Sequence, residues 1–205
     1  MLLKLHEENP DPRQIDKIVD CLKKGGLIIY PTDTVYGLGC DISNHKAIEK
    51  IAKIKGVKLN KAHFSFVCHD LSHLSDYAIQ IDTPTYKVLK RALPGAYTFI
   101  LKASSNVPKL FKTKKKTVGI RVPDNDIPRE IVRELGNPII TTSIPDEEDI
   151  EYTTDPELIH EKYGELVDIV IDGGIGDYEG STVIDFSNGI MEIIREGKGD
   201  IDSIL

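Results

Sequence analysis

No stretch of about 20 apolar residues, the length that spans a bilayer, occurs in this 205-residue chain, so no membrane-spanning helix is read. The opening MLLKLHEENPDP holds no apolar stretch of signal-peptide length either. Cysteine is scarce. Cys21, Cys40 and Cys68 are odd in number, widely separated and free of any CxxC. That excludes a disulfide framework and a zinc finger, and makes a reducing cytoplasm the expected setting. A surplus of positive charge is also missing: 26 Lys and Arg against 33 Asp and Glu leave a net charge of −7, so the chain is not a wholly basic nucleic-acid binder. No GxGxxG opens a helix, and GDYEGST at 176–182 lacks the lysine of the Walker pattern. His69 and His73 fall four apart without the acid of an HExxH arrangement, and a solvent-exposed helix start accounts for them better than a metal site. Cys68 reads as a buried core thiol. No catalytic triad can be assembled from residue order, and no internal repeat is evident.

What remains is ordinary: 40% hydrophobic and 29% charged residues argue against wholesale disorder, collagen and long coiled coils. A chain of this length buries about 70% of the surface its extended form exposes, enough for a core without staples. The charges are segregated. Ten Lys and Arg and no acid lie between Lys87 and Arg121, whereas thirteen acids and one lysine lie between Asp146 and Glu179. The basic window, with its run Lys112, Lys114, Lys115 and Lys116, is either a set of solvated faces or a surface for a phosphate-bearing partner.

Local signals place the elements. Asp11 and Pro12 open a helix through Lys24 with Ile15, Ile18, Val19 and Leu22 on one stripe, and Gly25 and Gly26 stop it. LIIYP reads as a buried strand followed by a loop, TDTVYGLG; Ser43 caps a second helix through Ile54. Strands are predicted over 63–68, 97–102, 117–122, 138–142, 167–171, 181–186 and 191–195, the last two joined by an Asn188-Gly189 hairpin. Helices are predicted over 70–77, from Thr83 to Pro94, over 127–135 and over 156–163, with a helical turn at 107–111. The acidic stretch PDEEDIEYTTDPE reads as an insertion, a solvated loop or a mobile lid. Mixed strands and helices with a late hairpin predict one mixed sheet with helices packed on it, an α/β domain (α+β in some schemes).

Residues able to do chemistry gather after strands: Thr32, Thr34, Tyr36, Gly37 and Gly39; Lys53 and Lys55; Arg121; Thr141, Thr142 and Ser143; the glycines at 173, 174, 176 and 180 with Ser181 and Thr182; and Arg195. Open sheets bind ligands there, and glycine amides with Arg or Lys suit a phosphate. By composition and spacing alone, two readings stay open: an anion- or nucleotide-binding enzyme, and a mixed α/β domain of unread function.

The order of these segments resembles the Sua5/YciO/YrdC family. YPTDTVYGLG at 30–39, IAKIKG at 51–56, LPGAYTFIL at 93–101, VGIRVPDN at 118–125, PIITTS at 138–143, GSTVIDF at 180–186 and IIREG at 193–197 carry the resemblance, and FVCHDLSHLSDYA at 66–78 looks most like the YciO branch. The resemblance implies a single three-layer YrdC-like domain over 1–205, with a twisted mixed sheet, a deep positive cavity and no Sua5 C-terminal domain. It implies an L-threonylcarbamoyladenylate synthase: L-threonine, bicarbonate and ATP give threonylcarbamoyl-AMP and pyrophosphate, for transfer to adenosine 37 of tRNAs. Magnesium would come with ATP, without a dedicated protein cage.

Carried over by motif, Thr32 and Ser181 would hold threonine, and Lys55, Arg121, Ser143 and Arg195 the nucleotide and its phosphates. Thr34, Tyr36, Lys58, Thr141 and Thr182 would support them, and Lys112, Lys114, Lys115 and Lys116 would form an RNA surface. Two positions depart from the family. Val57 stands where its Lys-x-Arg signature has arginine, and Ile144, Pro145 and Asp146 replace its Ser-x-Asn continuation. The resemblance therefore carries an alternative, a YciO-like protein that binds double-stranded RNA, tRNA or a nucleotide without synthase activity.

Overall fold

Asp11 starts the first helix by accepting the Arg13 backbone N–H at 2.9 Å, and Pro12 occupies the first turn, where no amide donor is needed. The same local logic recurs: Asp70, Asp82, Asn125 and Asp155 each cap a helix with a side-chain oxygen. Gly136 ends one helix in the left-handed conformation, at φ 75°. The structure is a computed structural model that describes residues 1–59, 62, 64–108, 116–145 and 149–205.

In chain order the elements are β1 (Leu2–Lys4), α1 (Pro12–Lys23), β2 (Ile28–Tyr30), β3 (Gly37–Asp41), α2 (His45–Ile54), β4 (Ser65–Val67), α3 (Leu71–Tyr77), β5 (Ala78–Ile79), α4 (Thr83–Ala92), β6 (Tyr97–Ala103), β7 (Thr117–Arg121), α5 (Asp126–Leu135), β8 (Ile139–Ser143), α6 (Glu151–Thr154), α7 (Pro156–Tyr163), β9 (Ile169–Asp172), β10 (Thr182–Asp185) and β11 (Glu192–Arg195). The strands form one mixed sheet in the order β1-β9-β2-β3-β8-β4-β7-β6-β10-β11, with β5 beside β6. Pairing is parallel at β1/β9, β9/β2, β4/β7 and β6/β10, and antiparallel elsewhere.

Alternation along the strands divides the core in two. Ile28, Tyr30, Val67, Ile139, Ile169 and Ile171 pack with the apolar stripes of α1 and α5, and their neighbours Ile29, Phe66, Ile140 and Val170 pack on the other side with α2, α4 and α7. This gives the three layers and the mixed α/β class expected from the sequence. The first face is covered only in part. Beyond α1 and α5 it continues over β4, β7, β6 and β10, and there it forms the floor of a cleft.

Several boundaries differ from the sequence reading. The second half of TDTVYGLG is not loop but β3, a central strand hydrogen-bonded to β2 and β8. Its glycines face Tyr30: a Cβ on Gly37 would meet the Tyr30 ring at 2.9 Å. Ser43 does not cap α2. Its N–H donates to the Asp41 carboxylate, and Asn44 is the cap, accepting the Ala47 N–H at 3.0 Å. β1 and β5 were not anticipated, because two or three residues carry no period. Part of the acidic insertion is helical, as α6. His73 is not at an exposed helix start. It is buried, with the His69 ring 4.5 Å away and the Tyr77 ring edge-on at 5.5 Å. Most of the helical turn expected at 107–111 lies outside the described residues. No helix among the described residues is long and apolar enough to cross a membrane.

Candidate functional site

Strand register builds the cleft floor. Ile100 on β6, Gly119 on β7, Ser65 on β4 and Thr141 on β8 lie in one cross-strand row that continues to Gly39 on β3. Two residues back along β6, Thr98 is paired with Val183 of β10 on the same face. Among the described residues the α1 and α5 cluster does not extend here, α6 borders the region through Thr153, and the result is a cleft of about 880 Å³, the size of many small-molecule sites. Its charged lining residues are Arg121 and Arg195; no Asp or Glu lines it among the described residues. Hydroxyl-bearing residues, among them Ser65, Thr98, Thr117, Thr141, Ser143 and Ser181, add to the polar surface. A cationic, hydroxyl-rich recess on a chain of net charge −7 is a selective place for an anion.

Arg121 ends β7 and is almost wholly buried. Its Nη2 donates to Asp33 Oδ1 at 2.9 Å and to Thr34 Oγ1 at 3.0 Å. Arg121 Nε and Asp33 Oδ2 are both buried without a hydrogen-bond partner among the described residues. The guanidinium is thus anchored on one side with donor capacity left over. Arg195 folds back from the end of β11: its Nη2 and Nε both donate to the Ser181 carbonyl, at 2.7 and 3.3 Å. The Ser181 hydroxyl pairs with Thr98 Oγ1 at 2.8 Å.

The cleft brings together Tyr36, Arg121, Thr141, Ser143, Ser181 and Arg195. Thr32 and Thr34 stand behind it. Thr32 Oγ1 accepts the Thr34 N–H and donates to the Val35 carbonyl, closing a tight turn, and the buried Thr34 hydroxyl receives Arg121. Lys55 follows α2, and its amine donates to the Ile144 carbonyl at 3.3 Å. Lys58 is exposed and does not border the cleft. Thr182 faces away: its hydroxyl donates to the Gly199 carbonyl at 2.6 Å and accepts the Gly197 N–H, so it belongs to the fold. Lys116 is exposed; Lys112, Lys114 and Lys115 lie outside the described residues.

The glycine-rich segment does something other than cradle a phosphate. Tyr36 donates its hydroxyl hydrogen to the Gly174 carbonyl at 2.7 Å and accepts the Gly173 N–H, and a Cβ on Gly176 would meet the Tyr36 ring at 2.7 Å. Gly176 makes room for the aromatic ring, and the backbone of Gly173 and Gly174 holds its hydroxyl.

Burial, opposed by the Thr141 hydrogen bond and the nearby Arg121 charge, pushes the Tyr30 phenol up to about 12. Burial likewise raises the Tyr36 phenol and the Cys40 and Cys68 thiols, so neither thiol is a thiolate nucleophile. No three His, Cys, Asp or Glu gather as a metal site among the described residues. The sequence reading missed Asp33, whose pairing with Arg121 spans 88 positions, and the hydroxyls of Ser65, Thr98 and Thr117. Alternation in YTFIL was the available signal for Thr98, opposite in phase to Tyr97, Phe99 and Leu101.

A mixed sheet with helices on both faces and a cationic cleft over part of one face is a mixed α/β domain. The Sua5/YciO/YrdC family model, described as "Telomere recombination", matches residues 20–197, and the chain belongs to that family. It is 40% identical to YciO of Escherichia coli over 98% of this chain and 97% of that one. The crystal structure of E. coli YciO superposes with a TM-score of 0.90, covering 100% of this chain and 99% of that one. A threonylcarbamoyl-AMP synthase of Vibrio vulnificus is 30% identical, over 80% of this chain and 88% of its own. The fold is shared with P. abyssi Sua5 complexed with L-threonine, at a TM-score of 0.83 and 24% identity, over 96% of this chain and 57% of that one. The family is thus one of threonylcarbamoyl-AMP synthase-like proteins.

Proposed function

We propose that the cleft is the site of an L-threonylcarbamoyladenylate synthase-like reaction, with ATP, L-threonine and bicarbonate as substrates and tRNA adenosine 37 as the eventual acceptor. The observation that carries this reading is the pairing of Arg121 and Arg195 in a hydroxyl-lined recess without a carboxylate among the described lining residues. In the reaction, the threonine amine condenses with bicarbonate, losing water, to a carbamate. A carbamate oxygen attacks the α-phosphorus of ATP, a new P–O bond forms, and the α–β bridge breaks to release pyrophosphate. Both steps concentrate negative charge, which fixed guanidinium groups stabilise. Magnesium enters with the ATP phosphates as part of the substrate. In this reading Arg121, Ser143 and Arg195 hold the nucleotide end and Ser181 the threonine end, while Lys55, bonded to the Ile144 carbonyl, and Thr32, whose hydroxyl closes the turn behind the cleft, support them.

A second reading keeps the nucleotide, or an RNA bearing it, and omits the synthesis. What favours it is Pro145, which stands where the resemblance implies the asparagine of Ser-x-Asn, together with the exposed Val57 in place of arginine. One assay separates the two. Purified protein with ATP, Mg²⁺, L-threonine and bicarbonate should release pyrophosphate, and omission of threonine or bicarbonate should abolish the release. Silence beside an active synthase, with AMP or RNA still bound, selects the second reading; silence with neither AMP nor RNA bound overturns both.

A further inference from the structure

Three side chains on the border of the cleft are apolar or aromatic and exposed: Tyr178 at 71%, Ile194 at 52% and Ile150 at 50%. They come from the segment after β9, from β11 and from the residue before α6. Single exposed apolar residues are ordinary on a protein surface. Three from separate elements, converging on the mouth of one cationic cleft, form a built feature.

Tyr178 is the most exposed of them, so its ring adds little to the core, yet its backbone is firmly held. Asp177 Oδ1 accepts the Tyr178 and Glu179 N–H groups at 2.7 and 3.0 Å. Asp177 Oδ2 is paired with Lys198 at 2.8 Å, which holds the Asp177 carboxyl below the usual range. The same Lys198 amine donates to the Asp33 carbonyl at 2.7 Å, and Asp33 holds Arg121. On the other side, the Gly176 N–H donates to Thr154 O at 2.8 Å. A continuous set of polar contacts therefore runs from the cleft's buried cation to the backbone of an exposed ring.

We infer that Tyr178 is a stacking platform for the nucleobase of a nucleotide whose phosphate lies at Arg121 and Arg195, with Ile150 and Ile194 flanking the base. The inference rests on the proposed nucleotide reading of the cleft and adds the residue that recognises the aromatic end. A flat ring at the rim, on a backbone held by Asp177, matches a base, and one base–aromatic stack is worth a factor of about 10 in affinity. Phosphate and pentose alone gain nothing from it.

The chain has no tryptophan, so Tyr178→Trp introduces a sole indole reporter. AMP should quench it, whereas ribose 5-phosphate should not. By calorimetry, Tyr178→Ala should weaken AMP about 10-fold, Tyr178→Phe should restore binding, and ribose 5-phosphate should bind all three proteins alike. Equal AMP affinity in wild type and Tyr178→Ala overturns the platform and leaves the nucleotide reading standing. Absence of AMP binding to the wild type overturns that reading and the platform with it. Equal loss of AMP and ribose 5-phosphate in Tyr178→Ala also overturns the platform, since the ring would then act on the cleft's shape rather than on the base.

Discussion

Arg121 and Asp33 meet through one contact, Nη2 to Oδ1 at 2.9 Å, with both side chains only 11% exposed. A buried cation and anion cost much desolvation, and removing one partner strands the other. We expect Asp33→Ala to lower the free energy of unfolding by about 3 kcal/mol, measured by urea denaturation at constant m-value. A loss well below about 1 kcal/mol would mean that solvent already screens Arg121, and that its site is wetter than the geometry indicates.

Gly39 is held to glycine by its neighbours. A Cβ there would lie 2.5 Å from Ile139 Cγ2 and 2.9 Å from the Ile140 carbonyl. Gly39→Ala should therefore destabilise by about 1–3 kcal/mol through overpacking. Gly119, on the cleft floor, meets only the Ser65 hydroxyl at 3.0 Å before ordinary contact distances. Gly119→Ala should cost less than Gly39→Ala in the same melts, and a larger cost at Gly119 would count against an open floor above β7.

The same contrast explains what the residues disclosed. The helices α1 and α5 were readable because caps, apolar stripe and stop lie within one short stretch: Asp11 and Pro12 for the first, and Gly136 closing the second. β3 was not, because Gly37-Leu38-Gly39 has no alternation of its own and is a strand by virtue of β2 and β8 on either side. At the site, Arg121 and Arg195 were legible as cations at strand ends. Thr182 was misplaced because strand alternation sends Val183, not Thr182, into the cleft. Asp33 was overlooked between two threonines, since its meaning depends on a guanidinium 88 positions away.

His73 links stability to pH. Burial first, and the adjacent His69 second, hold its imidazole below the ordinary 6.5, against the opposing pull of Asp76 and Asp70. Its Nδ1 is placed to accept the His69 N–H at 3.5 Å, which the doubly protonated ring cannot do. The unfolded chain thus takes up this proton more readily than the folded one. Stability from neutral His73 is full above pH 6.5 and is lost as pH falls through the lower folded value. Asp70, held below 3.8 although burial alone would raise it, keeps its charge through that limb. In chemical melts across this range, His73→Gln should show a flatter acid limb than wild type; an unchanged slope would assign the titration to another group.

Arg195 offers the most direct test of the phosphate end. It binds the Ser181 carbonyl through two nitrogens of one planar group, which fixes the plane of a side chain that lines the cleft. Lysine keeps the charge but has a single rotating ammonium and no fork. If phosphate is bound by the oriented guanidinium, Arg195→Lys should weaken AMP about 10-fold, or about 1.4 kcal/mol. Wild-type affinity should also fall with added salt, because the attraction is partly screened. Arg195→Ala should lose both the affinity and much of that salt dependence. Calorimetry at low and high ionic strength reads both quantities at once. Should Arg195→Lys bind AMP as wild type does, charge alone would suffice and the fork would serve only to hold Ser181. Should Arg195→Ala keep the full salt dependence, the phosphate would sit on another cation, with Arg121 the first to test.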